Sequence, residues 1–109
     1  MERLKPFING KFIESTSSKY TPIYDPSTGE QIAETPCCTC EEVEAAVAAA
    51  QAAFPTWRDT PCARRVEVLY RFRDLLLRDI DELIYTVCRE NGKNWEEARG
   101  DVLKAKESV

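Results

Sequence analysis

The sequence predicts an α+β fold in which short antiparallel β-hairpins precede three to four helices. Turn signals separate short apolar pairs in residues 1–36, whereas residues 37–109 carry apolar side chains at helical spacing. The chain has 109 residues, which is enough for one domain but not for two. We therefore predict one domain, with a β-hairpin region over 1–36 and a helical region over 37–109.

Two turn signals predict two hairpins in the first region. In the segment FINGKFI, Asn9 and Gly10 both tolerate a positive φ and can form a two-residue turn between short strands. The segment DPSTGE, residues 25–30, predicts a second turn between two extended stretches. The first of these stretches, 19–24, contains Pro22, which favours an edge strand. Two successive hairpins predict one small antiparallel sheet.

The first helix is predicted over residues 40–54. Thr39 and Glu42 have the spacing of a capping box at its start. Pro55 predicts its end, because a proline inside a helix removes a hydrogen bond and clashes with the preceding turn. The apolar stripe of this helix is Val43, Ala46, Val47, Ala50 and Phe54.

The remaining helices are predicted from their end signals. Thr60 is expected to cap the second helix, with Pro61 in its first turn. A break is predicted near 78–79, where Asp79 and Glu82 have capping-box spacing, and Gly92 can end the continuation. Asn94 is then expected to cap the last helix. The stripe of the second helix and its continuation is Val66, Leu69, Phe72, Leu76, Ile80 and Leu83.

The cysteines are the candidate reactive residues. Cys37, Cys38 and Cys40 lie within four positions, which is closer than the usual spacing of tetrahedral zinc ligands. A thiol at the helix start, such as Cys40, can be activated there, but no local pattern supplies a base. The chain has no histidine, which excludes Ser-His-Asp and Cys-His catalysis. A metal site, a reactive thiol and a simple helix entrance remain alternatives, and the residues favour the last.

Composition excludes several classes of partner. The net charge is −4 and is spread along the chain, so no basic face for nucleic acid is expected. No run approaches the roughly 20 apolar residues of a membrane span. The first ten residues show no targeting signal, which indicates a cytoplasmic protein.

Five motifs, taken in order, resemble the N-terminal segment of the aldehyde dehydrogenase superfamily: FINGKFI, DPSTGE, AAFPTW, ARRVEVLYRFRDLL and ENGKNWEEARGDV. Each motif is weak alone, but their order and spacing cover nearly the whole chain. Within the superfamily the chain most resembles the CoA-acylating methylmalonate-semialdehyde dehydrogenase branch. The resemblance implies that residues 1–109 are the N-terminal portion of a longer chain, and part of its α/β fold.

The resemblance also implies the chemistry of the longer chain. That enzyme would oxidise an aldehyde with NAD(P)⁺ through a cysteine thioester, which passes to CoA or, in other branches, to water. The family's nucleophile and glutamate motifs do not occur here, so the resemblance assigns no catalytic or cofactor-binding residue to this chain. It implies one structural site for a monovalent cation, formed by the carbonyls of Ile23 and Tyr24 and the carboxylate of Asp101. An ordinary surface aspartate is the alternative.

The expected partners are the remainder of the longer enzyme and further copies of the chain. Helices that cover a sheet elsewhere would leave apolar surface exposed, so we expect self-association, including exchange of hairpins or helices between copies. Two other functions remain open from the sequence. One is a non-acylating aldehyde dehydrogenase, and the other is a separate protein-interaction module.

Overall fold

The structure is a computed structural model that describes residues 2–109. The chain divides into two compact units. The first unit comprises the chain up to Tyr24 together with Glu30–Asp59, and the second comprises Asp25–Gly29 and Thr60–Val109. The predicted α+β class is confirmed, because short strands in the first part of the chain are followed by four helices within the described residues.

Both predicted hairpins are confirmed, because each predicted turn joins two antiparallel strands. Asn9 and Gly10 have φ angles of 52° and 76°, which form the tight turn of the first hairpin. The second antiparallel pair follows the predicted turn, and its first strand carries Pro22 at the edge of the sheet, as expected. The strands are β1 (Glu2–Arg3), β2 (Phe7–Ile8), β3 (Lys11–Phe12), β4 (Tyr20–Tyr24) and β5 (Gln31–Pro36).

The prediction of a single antiparallel sheet is wrong. Strands β2 and β3 form a separate two-stranded sheet, whereas β4 and β5 belong to a three-stranded sheet of order β1-β5-β4. The additional strand β1 pairs in parallel with β5, where Glu2 lies opposite Ala33 and Arg3 opposite Glu34. A two-residue parallel strand has no turn signal beside it, so local sequence does not reveal its partner.

Helix α1 (Cys40–Asp59) is longer than predicted, because it continues through Pro55 instead of ending there. A proline lacks one backbone donor, but the turns on either side can keep their own hydrogen bonds. The Arg58 guanidinium lies 5.8 Å from the centre of the Phe54 ring, so a cation–π contact spans the turn that contains Pro55. The proline rule therefore gave the wrong end of this helix.

The second unit contains α2 (Cys62–Arg78), α3 (Ile80–Asn91) and α4 (Trp95–Ser108). The predicted break between α2 and α3 is confirmed at Asp79. Its predicted capping box is wrong, because the Asp79 side chain makes no cap hydrogen bond. Its carboxylate instead accepts hydrogen bonds from Arg78 at 2.7 Å.

Three other predicted helix ends can be compared with the structure. The predicted cap of α2 at Thr60 is wrong, because Pro61 occupies the cap position. Pro61 has an extended ψ of 144°, and its carbonyl accepts the first amides of the helix. The predicted end of α3 is confirmed, since Gly92 is left-handed with a φ of 75°. The Asn94 cap of α4 is also confirmed, because its side chain accepts from the Glu97 amide at 3.0 Å.

A small apolar core lies between α3 and α4 in the second unit. Ile84 is 1% exposed, Ala98 is 0% exposed and Val102 is 7% exposed. In the first unit, Ala33 on β5 is buried. Partly buried side chains pack against the core of the second unit: Ile80, Leu83, Val87 and Cys88. Among residues 2–109, no helix is both long and apolar enough to cross a membrane.

Candidate functional site

Glu42 is at the centre of a polar cluster in the first unit. Its carboxylate accepts the Thr39 amide at 2.9 Å, while the Thr39 hydroxyl accepts the Glu42 amide at 3.3 Å. The predicted capping box is therefore confirmed in both directions. This reciprocal pair satisfies two amides that the first turn of α1 leaves without intrahelical partners.

The same carboxylate also holds a loop that precedes β4. It accepts the Thr16 amide at 2.6 Å and the Ser15 hydroxyl at 3.0 Å. Hydrogen bonds from the backbone of Thr16, and then of Thr39, lower the pKa of Glu42. A carboxylate whose oxygens are occupied by donors in this way is a poor general base. Glu42 therefore acts as a structural tie between the loop and the helix start.

The cysteines do not come together as a site. Cys37, Cys38, Cys40 and Cys62 are exposed and Cys88 is half-buried. The Cys37 sulfur lies 3.3 Å from the Thr21 hydroxyl, and the Cys62 sulfur accepts a hydrogen bond from Arg65 at 3.1 Å. Neither neighbour is a base. In the described part of the chain, no three cysteine or acidic side chains are arranged to hold a metal ion.

The three residues of the predicted cation site lie in two elements. Ile23 and Tyr24 end strand β4 in the first unit, and Asp101 lies in α4 of the second. The Asp101 carboxylate accepts a hydrogen bond from the Lys93 ammonium at 2.5 Å, which lowers the pKa of Asp101 and raises that of Lys93. The cation site stays a prediction. The Lys93 partner was missed because an interval of eight residues from the loop before α4 into that helix gives no periodic signal.

The glycines do not form the G-x-G-x-x-G loop of a dinucleotide-binding turn. A nucleotide-binding turn needs a G-x-G-x-x-G loop that opens a helix, and the four glycines are too far apart in sequence for one. Gly10 and Gly29 lie in turns, Gly92 ends α3 and Gly100 lies inside α4. That this chain contributes no cofactor-binding residue stays a prediction.

An open groove lies beside α1 in the first unit. It has a volume of about 350 Å³ and is bordered by the β2–β3 hairpin, including Phe7, and by small side chains of α1 such as Ala46 and Ala50. No charged side chain lines it. Ligand sites combine apolar walls with a few convergent polar groups, whereas among the described residues Asn9 is the single polar side chain that lines this groove. It therefore resembles a packing surface.

Comparison with known proteins relates the chain to one family of enzymes. The sequence profile of the Aldehyde dehydrogenase family matches residues 12–109. A malonate-semialdehyde dehydrogenase of Bacillus pumilus (strain SAFR-032) is 44% identical over 109 residues. The alignment covers 100% of this chain and 22% of that relative. The chain thus spans about a fifth of the relative's length.

Solved structures show the same relationship. The chain is similar to a methylmalonate-semialdehyde dehydrogenase from Oceanimonas doudoroffii, with a TM-score of 0.93 and 34% identity over 98% of this chain and 22% of that one. It is also similar to a Sinorhizobium meliloti 1021 structure, described as a methylmalonate-semialdehyde dehydrogenase complexed with NAD. That match has a TM-score of 0.92 and 35% identity over 96% of this chain and 21% of that one.

Proposed function

This chain belongs to the aldehyde dehydrogenase family, and on that premise we propose that it is the N-terminal scaffold segment of an NAD-dependent semialdehyde dehydrogenase. The longer enzyme would oxidise methylmalonate or malonate semialdehyde to an acyl-CoA through a cysteine thioester, with CoA as co-substrate. It would act in the cytoplasm as a homo-oligomer. The observation that carries the proposal is the family match over residues 12–109, within a chain that spans only 22% of its relative.

The names of the similar proteins support the substrate class. The Bacillus pumilus relative is a malonate-semialdehyde dehydrogenase, and the Oceanimonas doudoroffii structure is a methylmalonate-semialdehyde dehydrogenase. The NAD in the Sinorhizobium meliloti complex supports the cofactor. The choice of CoA over water as acyl acceptor rests on the resemblance of this sequence to the acylating branch.

In this proposal, the 109 residues position other parts of the enzyme and take no part in the chemistry. The Glu42 tie fixes the start of α1, and the core around Ile84 fixes α3 against α4. The sulfur atoms of Cys37 and Cys62 contact a threonine hydroxyl and an arginine, and neither group is a base. The isolated chain should therefore show no aldehyde oxidation.

Two alternatives make different predictions. A non-acylating aldehyde dehydrogenase would share the scaffold but release its product to water. A separate interaction module is favoured by one observation, namely that neither α1 nor α2 contains a buried residue. Such a module would bind a protein partner through these helices and would have no role in an oxidoreductase.

A chimera tests the proposal directly. This chain would replace the aligned 109 residues of the Bacillus pumilus relative, and NADH formation would be followed with malonate semialdehyde, with and without CoA. We expect CoA-dependent NADH formation by the chimera and none by the isolated chain. A matched chimera with Ile84→Asp should lose activity, because it places an unpaired charge in the core.

A second chimera tests whether the nucleophile is one of the exposed cysteines of this segment. Serine would replace the four exposed cysteines, Cys37, Cys38, Cys40 and Cys62, and NADH formation should be unchanged. A folded but inactive first chimera would contradict the scaffold role. Turnover by the isolated chain would show that the chemistry was assigned to the wrong residues, and CoA-independent turnover would favour the non-acylating branch.

A further inference from the structure

We draw no further inference here: the strongest candidate, the exposed apolar faces of helices α1 and α2, carries nothing, because nothing in the structure shows what covers either face in a chain that spans about a fifth of its relative's length.

Discussion

The core between α3 and α4 allows the most quantitative prediction. Ile84 is 1% exposed and contacts the buried residues Ala98 and Val102. Ile84→Ala should lower the free energy of unfolding by about 2–5 kcal/mol, from lost burial and from the cavity that remains. Ile84→Val should cost about 0.5–1.5 kcal/mol. A domain of this size has only about 5–15 kcal/mol of stability, so the alanine variant should lose a large fraction of it.

Urea unfolding can report on this unit specifically. Trp95 lies in the same unit as Ile84 and Trp57 lies in the other, so Trp57→Phe leaves one fluorescent reporter. With a denaturant slope of about 1–3 kcal/mol per molar urea, Ile84→Ala should lower the midpoint by at least roughly 0.7 M. Protein concentration is held constant, because association would shift the midpoint by mass action.

The matched control is the neighbouring exposed residue. Tyr85 is 58% exposed, and Tyr85→Ala should change the unfolding free energy by no more than about 0.5 kcal/mol. If Ile84→Ala costs no more than Tyr85→Ala, the assignment of the core to these helices is wrong.

Three further predictions test the helix ends and the loop tie. Glu42→Gln should weaken the tie between the loop and α1, measured by faster amide exchange at residues 15–17, with Glu44→Gln as the control. Because the pKa of Glu42 is lowered in the folded chain, its stabilisation is present above the unfolded value of about 4.3 and is lost as pH falls through the lowered folded value. Acid unfolding of the wild type should show this loss, and the Gln variant should not. Gly92→Ala should destabilise by about 1 kcal/mol, because φ is 75° and the added Cβ would lie 3.0 Å from a proline ring. Gly100→Ala, in an open helical position, should stabilise by up to about 1 kcal/mol in the same thermal unfolding assay, and equal signs would contradict the conformational argument. Asn94→Ala should cost about 1 kcal/mol of stability by urea unfolding, while Asn94→Ser should restore most of it.

Most helix ends could be predicted because their determinants are local. The capping box of Thr39 with Glu42, the Asn94 cap and the left-handed Gly92 each depend on residues within four positions of one another. The first hairpin turn at Asn9 and Gly10 is local for the same reason. Such interactions form wherever the backbone permits them, so residue type and spacing are sufficient to predict these helix ends and this turn.

The wrong predictions share a different cause. At Pro55 a local rule predicted a helix end, but the helix continues to Asp59. At Thr60 and Asp79 a suitable capping residue was present, yet the backbone placed Pro61 at the cap and Arg78 on the carboxylate. These local preferences are each worth only about 1–3 kcal/mol, and the rest of the fold can override them.

The sequence by itself determined the class of fold, the family and most of the element boundaries. These depend on periodicity, turn residues and ordered motifs, which are properties of short stretches of sequence. Only the tertiary structure decided the partners that lie far apart in sequence. It paired β1 with β5, joined Thr16 to Glu42, placed Lys93 on Asp101 and enclosed Ile84. It also left α1 and α2 without a buried residue. Such contacts depend on how the chain closes on itself, which no short segment specifies.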